Sequence, residues 1–183
     1  MKAIKSIQIF MGMIIFSRIV ELIPKSKYPL NKATVFSNTL TFISLLISLQ
    51  TKDKSPIAVA SNIAFAMMSA FWTIYITCGE KALYGKYQPT NYEVWVDHFA
   101  IPLTPIVLAY YYKAHKQKNI DDTIIIAFGW LLYTFITGTS YPILKNYDKT
   151  LNYSRLCILF IIFATTSLIF HNICCKLNKK NNS

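Results

Sequence analysis

Six apolar runs alternate with short, lysine-bearing gaps along this chain of 183 residues, and this alternation limits its fold more than any other feature. A helix rises about 1.5 Å per residue, so about 20 apolar residues cross the roughly 30 Å of hydrocarbon in a bilayer. The runs predict an all-α, polytopic membrane helical bundle of about six transmembrane helices. The predicted spans are a first run that ends near Ile23, then 34–50, 56–78, 93–113, 123–141 and 154–175.

The first run follows Lys2 and Lys5, as the apolar core of a signal peptide does. It lacks a small-residue cleavage site, and more spans follow, so we interpret it as a retained helix. Arg18 and Glu21 lie three residues apart near its end, which predicts a pair between them. The short gaps predict a single integral membrane domain over residues 1–183.

Basic residues outnumber acidic ones by 19 to 8, for a net charge of +11. A nucleic-acid-binding protein would gather them into one patch. Here they fall in the gaps, as in loops that flank membrane spans. The pattern predicts the lipid bilayer as partner and no nucleic acid, and the membrane is predicted to be the endoplasmic reticulum or the plasma membrane. Lysine clusters at 113–118 and 176–180 favour cytosolic termini, although the basic counts on the two sides are almost equal.

The four cysteines show no CxxC motif and no ligand spacing with the three histidines. We therefore predict no metal site, no disulfide framework and no cofactor. Cys174 and Cys175 are interpreted as apolar filler at a helix end, with lipidation as the alternative. His115 is expected to be solvated in its lysine-rich gap and His171 to be interfacial, and neither is assigned a role.

Polar side chains recur every three or four residues in two of the runs, which predicts inward-facing stripes. In the second run the stripe is Thr34, Asn38, Thr41, Ser44 and Ser48, with Leu45 off that face. In the third run it is Asn62, Ala66, Ser69 and Thr73. The plain interpretation of both is close helix packing with interhelical hydrogen bonds.

The fourth run contains Asp97 and His98 and then Pro102 and Pro105. Pro102 has no N–H to bond the His98 carbonyl, so the backbone is expected to open beside the histidine. An intramembrane histidine is a functional candidate, and a structural hydrogen-bonding role is equally compatible with this sequence. Asp97 lies about 100° around the helix from His98 and is badly placed to orient it.

Thr41 and His98 are predicted to enter the membrane from the same side. Their positions within the second and fourth runs place them about 10 Å and about 8 Å deep. The motif GTSYP (138–142) closes the fifth run on that side. The three features are therefore expected to converge in one shallow cavity.

Four stretches carry a resemblance to a known family: LTFISLLISL (40–49), AFWTIYI (70–76), WVDHFAIPLTPIVL (95–108) and GTSYPIL (138–144). In these stretches the chain resembles the androgen-induced gene family, which includes the androgen-dependent TFPI-regulating protein. The resemblance implies six spans and hydrolysis of fatty acid esters of hydroxy fatty acids by a membrane-embedded threonine and histidine. It implies Thr41 as the nucleophile and His98 as the base. The chain departs from the family at Ile101, where relatives have a second histidine.

Candidate substrate-binding residues are Asn38, Gly138 and Tyr141, and the hydroxyls of Thr139 and Ser140 are further candidate oxyanion donors. A threonine hydroxyl is a weak nucleophile until a base removes its proton, and an imidazole with a pKa of about 6.5 can do so. The predicted substrate is a lipid ester. The alternative is a non-enzymatic multi-pass protein with a structural, lipid-binding or transport role. A soluble-ester hydrolase is disfavoured because the chain has no GxSxG motif.

Overall fold

The structure is a computed structural model that describes residues 2–25, 28, 30, 32–85, 88–139, 141–148 and 150–180. Its helices, in chain order, are α1 Lys2–Leu22, α2 Ala33–Gln50, α3 Ser55–Cys78, α4 Glu80–Tyr84, α5 Asn91–Trp95, α6 Ile101–Tyr111, α7 Asn119–Thr137 and α8 Tyr153–Lys180. A π-helical segment, Val96–Ala100, joins α5 to α6. Two 3-10 turns lie at Ile23–Lys25 and Pro142–Leu144.

The predicted all-α membrane bundle is confirmed. Among the described residues, α1, α2, α3, α7 and α8 are long and apolar enough to cross a membrane. The remaining predicted span, 93–113, corresponds to the stretch 91–111, in which α5, the π-helical segment and α6 follow one another without a break. These helices make the chain a multi-pass integral membrane protein.

Two helices differ from their predicted bounds. α7 begins at Asn119 rather than at 123, because Asp121 and Asp122 lie in its first turn, where carboxylates stabilise the helix N-terminus. It ends at Thr137 rather than at 141, because Gly138 follows with a positive φ. α8 continues past 175, and its last turn holds Lys179 and Lys180, which suit a helix C-terminus. Charged residues that the sequence suggests for the gaps therefore belong to helix ends.

α3 is the central helix and packs against α2, α6, α7 and α8. Its first half is buried on nearly every side, and small residues there, including Ala58, Ser61 and Ala64, let neighbouring backbones approach closely. Apolar clusters join α3 to α1, α2 and α6 on one side and to α7 and α8 on the other. Van der Waals packing of this kind holds helices together in hydrocarbon, where apolar lipid provides no hydrophobic driving force.

The inward stripe of α2 is confirmed for its four members from Asn38 to Ser48, while Thr34 is half-buried. The prediction for Leu45 was wrong. Leu45 is buried on the same face as the stripe, because it lies four residues after Thr41. On α3, Thr73 is exposed, and that part of the helix presents Phe71 to the bundle instead.

Side-chain contacts identify the two ends of the bundle. Gln8 Nε2 donates to Ser48 Oγ at 3.1 Å, and the Tyr112 hydroxyl donates to Gln8 Oε1 at 3.1 Å. The start of α1 and the ends of α2 and α6 therefore lie together, and the end of α8 joins them through Asn178, which donates to the His115 carbonyl at 3.2 Å. We call this the terminal end. The other end holds α4, the π-helical segment and the turn Pro142–Leu144, and we call it the cavity end.

Candidate active site

His98 lies in the π-helical segment, where the backbone departs from α-helical bonding. Pro102 cannot bond the His98 carbonyl, and Trp72 Nε1 donates to that carbonyl instead, at 3.0 Å. The imidazole stacks on Phe71 with ring centroids 3.5 Å apart and planes 6° apart. Its Nε2 lies 2.9 Å from the hydroxyl oxygen of Tyr84. Side chains of α3 and α4 thus hold the ring in one orientation beside the backbone opening.

Two adjoining cavities meet at His98. The larger, about 330 Å³, has the more polar wall and reaches Arg18, Lys32 and Glu93. The smaller, about 60 Å³, is lined mainly by apolar side chains of α3, α7 and α8. The residues that line both are Thr34, Phe71, Leu83, Asp97, His98 and Tyr141. The imidazole therefore stands where a polar chamber meets an apolar one, an arrangement suited to a molecule with one polar and one apolar part.

Asp97 does not orient the neighbouring imidazole but binds Arg18 of α1. Arg18 Nε donates to Asp97 Oδ1 at 3.0 Å, and Nη2 donates to Oδ2 at 2.7 Å. Arg18 also pairs with Glu21, as their spacing predicts, and its Nη2 lies 3.8 Å from Glu93 Oε1. The side chains of Arg18 and Asp97 are each only 8% exposed. A buried, bidentate ion pair thus ties α1 to the segment that carries His98.

Asn38 and Thr41 carry unpartnered polar atoms on the buried face of α2. Both residues are 1% exposed, and neither the Asn38 amide atoms nor the Thr41 hydroxyl has a hydrogen-bond partner. Thr134 on α7 is also buried with its hydroxyl unpartnered. Hydroxyls that donate to the carbonyl four residues back belong to Thr51, Thr77, Thr104, Thr123 and Thr137. Unpartnered buried polar atoms are uncommon in proteins and call for an explanation such as a bound water, a ligand or a catalytic role.

Some of the predicted site residues line the two cavities and others do not. His98 and Tyr141 line both cavities, whereas the described residues that line them do not include Asn38, Thr41 or Gly138. Thr41 is not hydrogen-bonded to His98, because its hydroxyl has no partner. Ser37, one turn before Thr41, does line the smaller cavity. The nucleophile and base that the resemblance implies therefore do not hydrogen bond in this structure.

The segment after α7 forms part of the cavity wall. Gly138 ends α7 with a φ of +80°, a conformation that favours glycine. Thr139 Oγ1 accepts from the Tyr141 N–H at 3.1 Å. The Tyr141 side chain hydrogen bonds Thr34 at the start of α2, and burial raises the pKa of its hydroxyl. Ser140, a predicted candidate donor, lies outside the described residues.

A second buried polar network, which sequence analysis missed, lies toward the terminal end. Asn62 of α3 joins two histidines, since His115 Nε2 lies 3.2 Å from its Oδ1 and His171 Nδ1 lies 3.2 Å from its Nδ2. Ser61 Oγ is 3.0 Å from His115 Nε2, and Cys175 Sγ is 3.4 Å from His171 Nε2. The prediction of a solvated His115 was wrong, because its ring is packed between helices and is only 5% exposed. The His171 ring is buried as well, at 0% exposed. The sequence signal was Asn62 in the third run, but no local pattern links it to partners more than 50 residues away.

Because His115 is buried in this network, we expect the free energy of unfolding of the protein to fall in acid. Burial, and secondarily the nearby His171, lower the pKa of His115 to about 4 from an ordinary value of about 6.5. The unfolded chain therefore binds the proton more readily, so unfolding becomes easier as pH falls below about 6.5, by on the order of 2 kcal/mol at about pH 5. Thermal unfolding in detergent should show this loss, and His115→Gln, which cannot titrate, should reduce it. An equal pH dependence in the two proteins would contradict the assignment.

In comparisons with known proteins, the chain matches no family model, no curated protein and no solved structure. The androgen-induced gene resemblance therefore stays a prediction from four short stretches of sequence.

Proposed function

We propose that the protein is a membrane-embedded lipid ester hydrolase of the androgen-induced gene family, with Thr41 as nucleophile and His98 as general base. Its substrates would be fatty acid esters of hydroxy fatty acids or similar lipids, in the endoplasmic reticulum or the plasma membrane. The four sequence stretches motivate the choice of residues. The cavities at His98 support an amphiphilic substrate, because a polar chamber of about 330 Å³ adjoins an apolar one of about 60 Å³ that would hold part of an acyl chain.

The observation that carries the proposal is the set of unpartnered polar atoms on α2. A buried threonine in a helix satisfies its hydroxyl most simply by bonding the carbonyl four residues back. Thr41 does not, and the amide of Asn38, one turn earlier, is unpartnered as well. A reactive hydroxyl has to be uncommitted in this way, and an uncommitted amide one turn away can donate to the oxyanion of an acyl intermediate.

The proposed reaction proceeds in two steps. His98 takes the proton of the Thr41 hydroxyl as Oγ1 forms a bond to the acyl carbon, and the protonated imidazole then gives that proton to the departing alkoxide. Water, activated by the same imidazole, hydrolyses the acyl-threonine and returns the hydroxyl. Because Thr41 and His98 are not hydrogen-bonded in the structure, we expect binding of the ester to bring the Thr41 hydroxyl and the His98 imidazole together. Catalytic hydrogen bonds often form only in the substrate complex.

A non-enzymatic bundle is the second candidate, and one observation favours it. His98 is already held on its ring face, at its carbonyl and at Nε2, by Phe71, Trp72 and Tyr84. A histidine whose contacts are satisfied in this way needs no catalytic role, because it already joins α3, α4 and the π-helical segment. In that case the polar stripes are packing surfaces and the protein has a structural, lipid-binding or transport role.

Hydrolysis of a hydroxy-fatty-acid ester by the purified protein separates the two candidates. We expect release of the free acid by the unmodified protein and a loss of roughly 10²–10⁴-fold in rate for His98→Ala, the range for removal of a general base. His98→Gln, which keeps a polar side chain of similar size, should be as inactive while it preserves more of the packing. No ester cleavage by the unmodified protein would favour the structural bundle. Cleavage by both variants at the rate of the unmodified protein would reject His98 as the general base.

A further inference from the structure

We propose that Tyr84 is the positioning residue of the site and fixes which imidazole nitrogen of His98 is free to take a proton. The phenol oxygen accepts a hydrogen bond from Nε2–H. Nε2 therefore keeps the proton, and the free lone pair of the ring lies on Nδ1. This inference rests on the proposed function for its catalytic consequence, but the bond itself can be tested without any substrate.

The geometry leaves the imidazole little freedom. The Tyr84 oxygen and His98 Nε2 are 2.9 Å apart. The stacked Phe71 ring prevents the imidazole from rotating out of its present plane. The Tyr84 ring itself packs edge-on against Phe71, with centroids 6.2 Å apart. One aromatic ring of α3 therefore positions both partners of the hydrogen bond.

The backbone around α4 places Tyr84 over the cavity. α4 is bracketed by Gly79 with a φ of +77° and Gly85 with a φ of +64°, turns that favour glycine. A Cβ on Gly85 would lie 3.1 Å from Pro142 Cγ, so this turn packs directly on the turn Pro142–Leu144, whose Leu144 lines the smaller cavity. Leu83 is buried in a cluster with Phe71, and this contact packs α4 against α3. The Tyr84 hydroxyl consequently reaches His98 from the cavity end.

The chemistry of the pair follows from the tautomers of histidine. If Tyr84 donated to Nε2, Nδ1 would carry the proton and the ring would have no lone pair left for a base. If Tyr84 accepts from Nε2–H, the Nδ1 lone pair remains available and the same hydrogen bond persists after Nδ1 is protonated. Only the second arrangement is compatible with general-base catalysis. Burial raises the pKa of Tyr84 well above its usual value of about 10, so the phenol stays neutral throughout.

The test is Tyr84→Phe in protein with ¹⁵N-labelled histidine. A protonated imidazole nitrogen and one with a free lone pair differ widely in ¹⁵N chemical shift, and His98→Gln identifies which signals belong to His98. We expect the signals of His98 to show a single Nε2–H tautomer in the unmodified protein and a mixture in Tyr84→Phe. We also expect kcat for the ester to fall roughly 10-fold or more with KM changed little, because the tautomer affects the chemical step.

Tyr75→Phe is the matched control, since Tyr75 also stacks on Phe71, with centroids 5.6 Å apart, and belongs to the neighbouring α3. It should leave both the His98 signals and kcat unchanged. Unaltered His98 signals in Tyr84→Phe, or an Nδ1–H tautomer in the unmodified protein, would overturn the inference. A changed tautomer in a protein that cleaves no ester would uphold the positioning by Tyr84 and reject the hydrolase instead.

Discussion

Replacing Thr41 by Val should abolish ester hydrolysis, with a fall in kcat on the order of 10³-fold or more, as for the loss of other catalytic nucleophiles. Valine has nearly the shape of threonine, so the packing of α2 is kept. The hydroxyl that is removed has no hydrogen-bond partner, so its loss leaves no group unsatisfied. Expression and thermal stability should therefore be unchanged while the rate of hydrolysis falls. The hydrolysis rate and the thermal unfolding temperature, both measured on the same sample, test this expectation.

Two further variants isolate the role of the hydroxyl. Thr41→Ser restores it and should recover hydrolysis at least in part. Thr134→Val removes a buried and unpartnered threonine hydroxyl on α7, the second such hydroxyl among the described residues, and should leave the rate unchanged. Normal hydrolysis by Thr41→Val would reject Thr41 as the nucleophile, and Ser37 of the smaller cavity would be the next hydroxyl on α2 to test.

Replacing Arg18 by Met should produce a large loss of stability. Met occupies a similar volume but leaves the Asp97 carboxylate, now 8% exposed, without its two guanidinium hydrogen bonds. Removing one partner of a buried ion pair destabilises proteins by about 3–5 kcal/mol, because the other charge remains desolvated. The free energy of unfolding in detergent micelles, from a denaturant titration, measures this loss.

The paired variant Arg18→Met with Asp97→Leu gives the control for this effect. Replacing both partners by apolar residues removes the unpaired charge, so most of the lost stability should return. Glu21→Gln should have a small effect, since the Glu21 side chain is 46% exposed and exposed pairs contribute little. A small effect of Arg18→Met alone would show that the ion pair does not hold α1 against the π-helical segment.

Hydropathy alone predicts the spans of this bundle because every spanning helix must satisfy its own backbone in lipid. The inward face of α2 is also readable, since Asn38, Thr41, Ser44 and Ser48 recur at helical spacing. Helix ends are less readable. Asp121 and Asp122 look like loop residues by charge but stabilise the first turn of α7.

The site was only partly predictable, because its contacts join distant parts of the chain. The proline rule locates the backbone opening at His98, but nothing local shows that Trp72 bonds the freed carbonyl or that Tyr84 reaches Nε2. Arg18 and Asp97 are 79 residues apart, and the sequence offers only the nearer partner, Glu21. These pairings are set by which helices become neighbours, and single-sequence patterns do not carry that information.

A covalent probe tests directly whether Thr41 is the nucleophile. The purified protein would be treated with a fluorophosphonate probe, and the site of attachment mapped by mass spectrometry in the unmodified protein, Thr41→Val and His98→Ala. We expect one adduct on the Thr41 oxygen of the unmodified protein and none in either variant. An adduct on another residue, or no adduct on a folded sample, would contradict it.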